Sequence, residues 1–138
     1  MAVNDVGMHM PEAPKHWCSL HSKFFPHWQF LRGFSTDFNL LHKFLAHGIE
    51  SWPGDKRGTS GLFATRVAAA LGYDEIVLAG VPLDDGGHYY DPPGHTPPMS
   101  HYSGQVEVWK EYVPVLRGKV KVVSGNLMKL FGGYNGNS

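Results

Sequence analysis

The chain has little with which to brace itself covalently or to hold a highly charged partner. A single cysteine, Cys18, stands among 138 residues, which excludes an internal disulfide and fits a reducing compartment. Twelve Lys and Arg balance twelve Asp and Glu, so the formal net charge is zero. No basic run disturbs that balance, and a nucleic-acid backbone finds no electrostatic footing on it. No apolar stretch is long enough to span a bilayer. Met1-Ala2-Val3-Asn4-Asp5 lacks the basic and apolar lead of a secretory signal. These absences point to the cytoplasm. The length that remains suits one domain, residues 1–138, with a real core and no internal repeat.

What the chain does have is concentrated in residues 58–84. Phe63, Val67 and Leu71 recur at helical spacing with Ala64 and Ala68 beside them, a face small enough to lie close on a sheet. Thr59 or Ser60 can cap the start of that helix, and Gly72 sits where a left-handed residue ends one. The apolar run Ile76-Val77-Leu78-Ala79-Gly80-Val81 then reads as a parallel strand covered on both faces. Helix followed by strand is half of a βαβ unit, and open α/β sheets bind ligands outside the carboxyl ends of their strands. A helix opening with Thr59-Ser60-Gly61 also offers free N–H groups and a dipole suited to an anion.

Around this block, residues 1–7 read as the end of a strand and a turn, residues 8–15 as a loop, and 16–21 as a short strand. Residues 26–31 read as a short helix. Phe38, Leu41, Phe44, Leu45 and Ile49 form an amphipathic or irregular segment, and residues 52–58 an exposed turn. Residues 84–103 make a long loop rich in Gly, Pro, His and Tyr, of the kind usually kept for function. Val106, Trp109, Val113 and Leu116 give a helical face that Pro114 bends or ends. Val120-Lys121-Val122-Val123 is a strand, and Asn126 can cap a last short helix. The order suits a three-layer α/β fold with a mostly parallel sheet. Four tryptophans and eight phenylalanines could stack on a base or sugar, although aromatics at such spacing more often fill a core.

Nine histidines invite a metal reading. None sits in a zinc-type pair on a helix with a Glu between, and His42 and His47, on the expected helical segment, do not share a face. Only His88, His95 and His101 fall in one loop region, and surface or hydrogen-bonding roles are the better reading of them. No metal site and no resident cofactor is assigned.

Three pieces of the central block carry a resemblance. They are Thr59-Ser60-Gly61, the helix closing on Ala70-Leu71-Gly72-Tyr73-Asp74-Glu75-Ile76, and the strand at Leu78-Ala79-Gly80-Val81. Together they resemble bacterial sialyltransferases that build lipo-oligosaccharide, and the wider Rossmann-like set related to them. Further matches lie at Val3-Asn4, at residues 87–91 with Tyr90, and at Ser100-His101-Tyr102-Ser103-Gly104. The resemblance implies a Rossmann-like sheet and a cytidine-monophosphate sugar (CMP-sugar) as donor substrate, without strict need of a metal. It implies that Asn4 helps to bind the nucleotide, that Ser60 contacts the donor, and that Tyr90 hydrogen-bonds the leaving phosphate. It further implies a histidine as general base on the acceptor hydroxyl, since a neutral imidazole can take a proton near pH 7. His101 and His88 are the candidates.

The pattern departs at three points. The family opens with a strand and a Gly-rich nucleotide loop, and this chain is expected to begin after them. A phosphate-binding tyrosine of the family falls near Asp84, whose charge repels phosphate. The family's base lies a few residues past His101, where Gln105 stands, and an amide cannot act as a base.

Three readings follow. The first is a nucleotide or nucleotide-sugar pocket built from Asn4, Thr59, Ser60, Gly61 and residues 84–102, with sugar transfer as its reaction; retained Ser60, Tyr90 and His101 favour it. The second is a non-catalytic descendant, bacterial or phage-encoded and even part of a virion, that binds a nucleotide-like ligand or assembles structurally. The absent loop and Gln105 favour this one. The third, least favoured, is a metal hydrolase on His88, Asp91, His95 and His101. A sheet without its first strand would also expose an edge, so a homo-oligomer or a partner covering that edge is expected.

Overall fold

A computed structural model of the protein describes residues 1–12, 14–33, 40–44, 51–52, 57–84, 92 and 100–136, with the side chains of 22, 40–44, 51–52 and 100–103 outside the description. The chain divides into two compact units, Met1–Ala68 and Ala69–Ser138. Both mix helix with a small parallel sheet.

The first unit runs β1 (Ala2–Val3), α1 (Val6–His9), β2 (His16–Ser19), a 3₁₀ turn (Ser22–Phe24), α2 (Phe25–Leu31), β3 (Leu40–Phe44), β4 (Ser51–Trp52) and α3 (Ser60–Ala70), whose last residues open the second unit. Its strands lie in the order β1-β2-β3-β4, all parallel. Ala2 is opposite Trp17, and Cys18 is opposite both Val3 and His42. Among the described strands, order in the sheet follows order in the chain, with no reversal between them.

All four residues of β2 are buried, because successive side chains of a strand point to opposite faces and both faces here are covered. Trp17 packs with Ala2, Phe25 and Trp28, and with the partly buried Met8 and Met10. Cys18 packs on the other side with Phe63, Ala64 and Val67 of α3, and with Val3 and Leu20. The Trp17 ring is stacked on Trp28 (6.2 Å) and edge-on to Phe25 (5.7 Å). Its complete burial contributes roughly 4–6 kcal/mol of transfer free energy, an upper figure. The tryptophans Trp17, Trp28 and Trp109 are thus core. Arg32 closes the α1–α2 corner by donating to the carbonyls of Gly7 (3.0 Å) and Met10 (2.7 Å), which ties down the end of α1.

Two expectations are corrected here. Residues 6–9, read as turn and loop, form a single helical turn, packed against β1 and α2. Residues 40–44, read as amphipathic or irregular, form a strand, so His42 lies on a strand and not a helix. Pairing with β2 supplies their backbone partners, a tertiary contact to which a local apolar pattern is blind.

The second unit contains β5 (Ile76–Leu78), α4 (Ser100–Leu116), β6 (Val120–Val122) and α5 (Met128–Phe131). Strands β5 and β6 pair in parallel, Val77 opposite Lys121. Trp109 of α4, fully buried, meets Phe131 of α5 edge-on at 5.9 Å. Strand β5 is shorter than the apolar run and covered on one face only. Ile76 and Leu78 are buried while Val77 is 40% exposed, and Gly80 (φ 70°) turns the chain before Pro82. Helix α4 starts at Ser100, earlier than its apolar face at Val106, because its first turn is polar and periodicity cannot register it. Residues 100–103 are therefore helix rather than loop. Asn126 does not cap α5; Leu127 holds that position, and the Asn126 Nδ2 donates instead to the Leu83 carbonyl at 2.9 Å. Among the described residues, no helix is long and apolar enough to cross a membrane.

Candidate functional site

The expected site residues of the first unit meet at the carboxyl ends of β1 and β2. Asn4 follows β1 directly, and its N–H extends the parallel ladder by donating to the Cys18 carbonyl at 2.9 Å. Its φ of 54° is left-handed, a conformation that asparagine tolerates better than most residues. The Trp17 indole Nε1–H donates to the Asn4 carbonyl. That ring lies under α1 at Gly7, where even a single Cβ would come within 2.6 Å of Trp17 Cδ2. The Asn4 Oδ1 accepts from Ser19 Oγ at 2.9 Å, and Ser19 Oγ accepts from the His21 N–H at 2.8 Å.

One residue further along, the Leu20 N–H donates to Ser60 Oγ at 3.2 Å, which joins the end of β2 to the start of α3. Ser60 is 6% exposed, and its oxygen is turned to β2. The cap of α3 is Thr59, whose Oγ1 accepts from the Leu62 N–H at 3.1 Å while its carbonyl accepts from Phe63 at 3.0 Å. The carbonyl of Gly61 accepts from Thr65 Oγ1 at 2.7 Å. Asn4, Thr59, Ser60 and Gly61 are thus placed around one end of β1, β2 and α3. The sequence reading missed Ser19, which links Asn4 to the turn after β2. Its signal was available: a hydroxyl as the last residue of a buried strand, where open sheets bind ligands.

His101 is in the first turn of α4, in the second unit. His88 and Tyr90 fall outside the described residues, as do Asp91 and His95 of the metal reading. The chain at Pro82 and Leu83 is held by residues 125 and 126. The Asn126 N–H donates to the Pro82 carbonyl at 2.8 Å, Leu83 is buried with φ 48°, and a Cβ on Gly125 would fall 2.5 Å from the Pro82 oxygen. Gln105, at the place where the resemblance implies a base, buries its Oε1 without a partner among the described residues.

The side chains of Asn4, Ser19, Ser60 and Thr59 are amides and hydroxyls. Such groups bind and orient; they do not move protons near neutral pH. Two titratable neighbours in β2 are shifted toward their neutral forms. Burial pushes the Cys18 thiol up to about 12, against a small opposing pull from the terminal ammonium. Burial also lowers the pKa of His16, helped by the positive charges of Lys15 and the terminal ammonium. Among the described residues, no three His, Cys, Asp or Glu gather as a metal would need.

No protein-family model, no curated protein and no solved structure matches the chain.

Proposed function

We propose that the chain is a glycosyltransferase-related domain of Rossmann-like, three-layer type. It binds a nucleotide or nucleotide-sugar at the carboxyl ends of β1 and β2, beside the start of α3. The observation that carries this reading is the hydrogen-bonded pair Asn4 and Ser19 at the ends of β1 and β2, with Ser60 held to the next residue by the Leu20 N–H. Three polar side chains gathered at the carboxyl ends of parallel strands suit a ligand bound there. The resemblance adds cytidine as the preferred base and, for a catalytic form, His101 or His88 as base and Tyr90 as phosphate ligand. Gln105 in place of that base favours a second reading, in which the domain keeps its fold and binds or assembles without transferring a sugar. In that form the outer edge of β1, an edge of the sheet among the described strands, is covered by a second copy or another protein.

The test is thermal unfolding with cytidine, uridine, guanosine and adenine nucleotides and their sugar conjugates. A ligand at a hundred times its dissociation constant stabilises the fold by roughly 2.7 kcal/mol. The expected result is a cytidine-selective shift in the native chain that is lost in Asn4→Gly. Glycine accepts a φ of 54° freely, so that variant removes the amide and keeps the turn. A shift that persists in Asn4→Gly removes the site, and no shift with any nucleotide removes the function.

A further inference from the structure

We infer that Ser19 fixes the polarity of the Asn4 amide, so that this end of the sheet offers its ligand a hydrogen-bond donor and selects for an acceptor. The inference rests on the binding reading above for its ligand, and on the hydrogen bonds alone for the polarity. Ser19 is fully buried. The His21 N–H can only donate, so Ser19 Oγ accepts there, at 2.8 Å. The hydroxyl then has one proton to place, and the Asn4 amide, 2.9 Å away, is where it goes. With Oδ1 toward Ser19, that proton is satisfied. With the amide reversed, Nδ2 would also donate to Oγ, and the buried hydroxyl proton would lose the acceptor it now has, a cost of about 1–3 kcal/mol.

The backbone leaves Asn4 little room to escape this choice. Its N–H is held by the Cys18 carbonyl and its carbonyl by the Trp17 indole. The half-buried side chain reaches Ser19 from a left-handed residue pinned on both sides. Nδ2, with two donor protons, makes no hydrogen bond among the described residues. A backbone N–H thus sets the direction of a hydroxyl, the hydroxyl sets the direction of an amide, and the amide presents only donors. A carbonyl or ring nitrogen of a base, or a phosphate oxygen, satisfies it; an amino group does not.

The experiment has an arm without ligand and an arm with it, both on the full chain. In the first, the Asn4 side-chain NH₂ resonances of ¹⁵N-labelled protein are assigned by their disappearance in Asn4→Asp. The expected result is exchange with water as fast as that of exposed amides. Slow exchange, with cross-relaxation to the Ser19 β protons, would overturn the inference. In the second arm, Asn4→Asp keeps an acceptor for Ser19 and exchanges the outward donor for an acceptor. Its affinity for cytidine monophosphate should fall by about tenfold or more, with the thermal midpoint unchanged. Cytidine and inorganic phosphate, titrated separately, show whether the base or the phosphate supplies the acceptor. Equal affinity in Asn4→Asp and the native chain also overturns the inference. If the native chain binds no nucleotide while the NH₂ exchanges freely, the binding reading fails and the polarity stands.

Discussion

Replacing Gly7 by alanine sets two physical effects against each other, and their signs differ. Gly7 lies in α1, where alanine is normally favoured over glycine by about 1 kcal/mol. On propensity alone, Gly7→Ala stabilises the protein. The geometry says otherwise. The new methyl would sit within 2.6 Å of Trp17 Cδ2, inside contact distance, and the ring has nowhere to go. Trp17 is fully buried, stacked on Trp28, edge-on to Phe25, and bonded through Nε1 to the Asn4 carbonyl. Overpacking costs about 1–3 kcal/mol, and loss of the indole hydrogen bond adds about 1. Less the propensity gain, the net loss is about 1–3 kcal/mol, a fall of roughly 4–12 °C in Tm for a chain of this size. Urea unfolding followed by circular dichroism measures it. Trp17→Phe, which removes the colliding edge, should cost less in the Gly7→Ala background than in the native one, because the two positions couple. A Gly7→Ala protein as stable as the native one, or more so, would refute the placement of Trp17 beneath α1.

Other perturbations test the rest of the frame. Ser60→Ala leaves the Leu20 N–H without its acceptor and should destabilise by about 1–2 kcal/mol in urea unfolding; no loss would remove the stitch between β2 and α3. The Cys18 thiol is held protonated up to about 12 in the folded chain, against an ordinary 9.0. The folded state therefore keeps a proton that the unfolded one loses, so the stabilisation is whole below 9.0 and is lost as pH rises through about 12. Thermal midpoints across that range should fall more steeply than in Cys18→Ala, and parallel curves would count against the burial. Gly125→Ala should destabilise more than Asn126→Ala. The first meets the Pro82 backbone and demands a φ of 90° from alanine, and the second loses one hydrogen bond of about 1 kcal/mol. Equal losses would mean that the backbone gives way at Pro82.

The elements that could be read from the sequence are those with local signals. Helix α3 has a hydroxyl cap, an apolar face of small residues and a terminating glycine in the left-handed region, and each of these acts within a turn or two. The strand at Val120–Val122 and the helical face through Trp109 and Leu116 were legible for the same reason. Strand β3 was not. Its residues match an amphipathic segment as well as a strand, and the deciding contact is with β2, more than twenty residues earlier in the chain. Asn126 misled because an asparagine before a short helix suits a cap, whereas its partner is the carbonyl of Leu83, 43 residues away. The site divides along the same line. Thr59, Ser60 and Gly61 carry a motif; Asn4 was reached through the resemblance. Ser19 carries none, and its role exists only once β1 and β2 lie side by side.

The bond between Leu20 and Ser60 spans 40 residues. A ribosome adding about 5–20 residues per second needs roughly 2–8 s to make that stretch. Throughout that interval β2 has left the tunnel before the helix that covers one of its faces. Cys18, whose thiol in the finished protein is buried against Phe63, Ala64 and Val67, is reachable then and not afterwards. A Cys18 found oxidised or alkylated in cells would therefore date the event to synthesis or to unfolding.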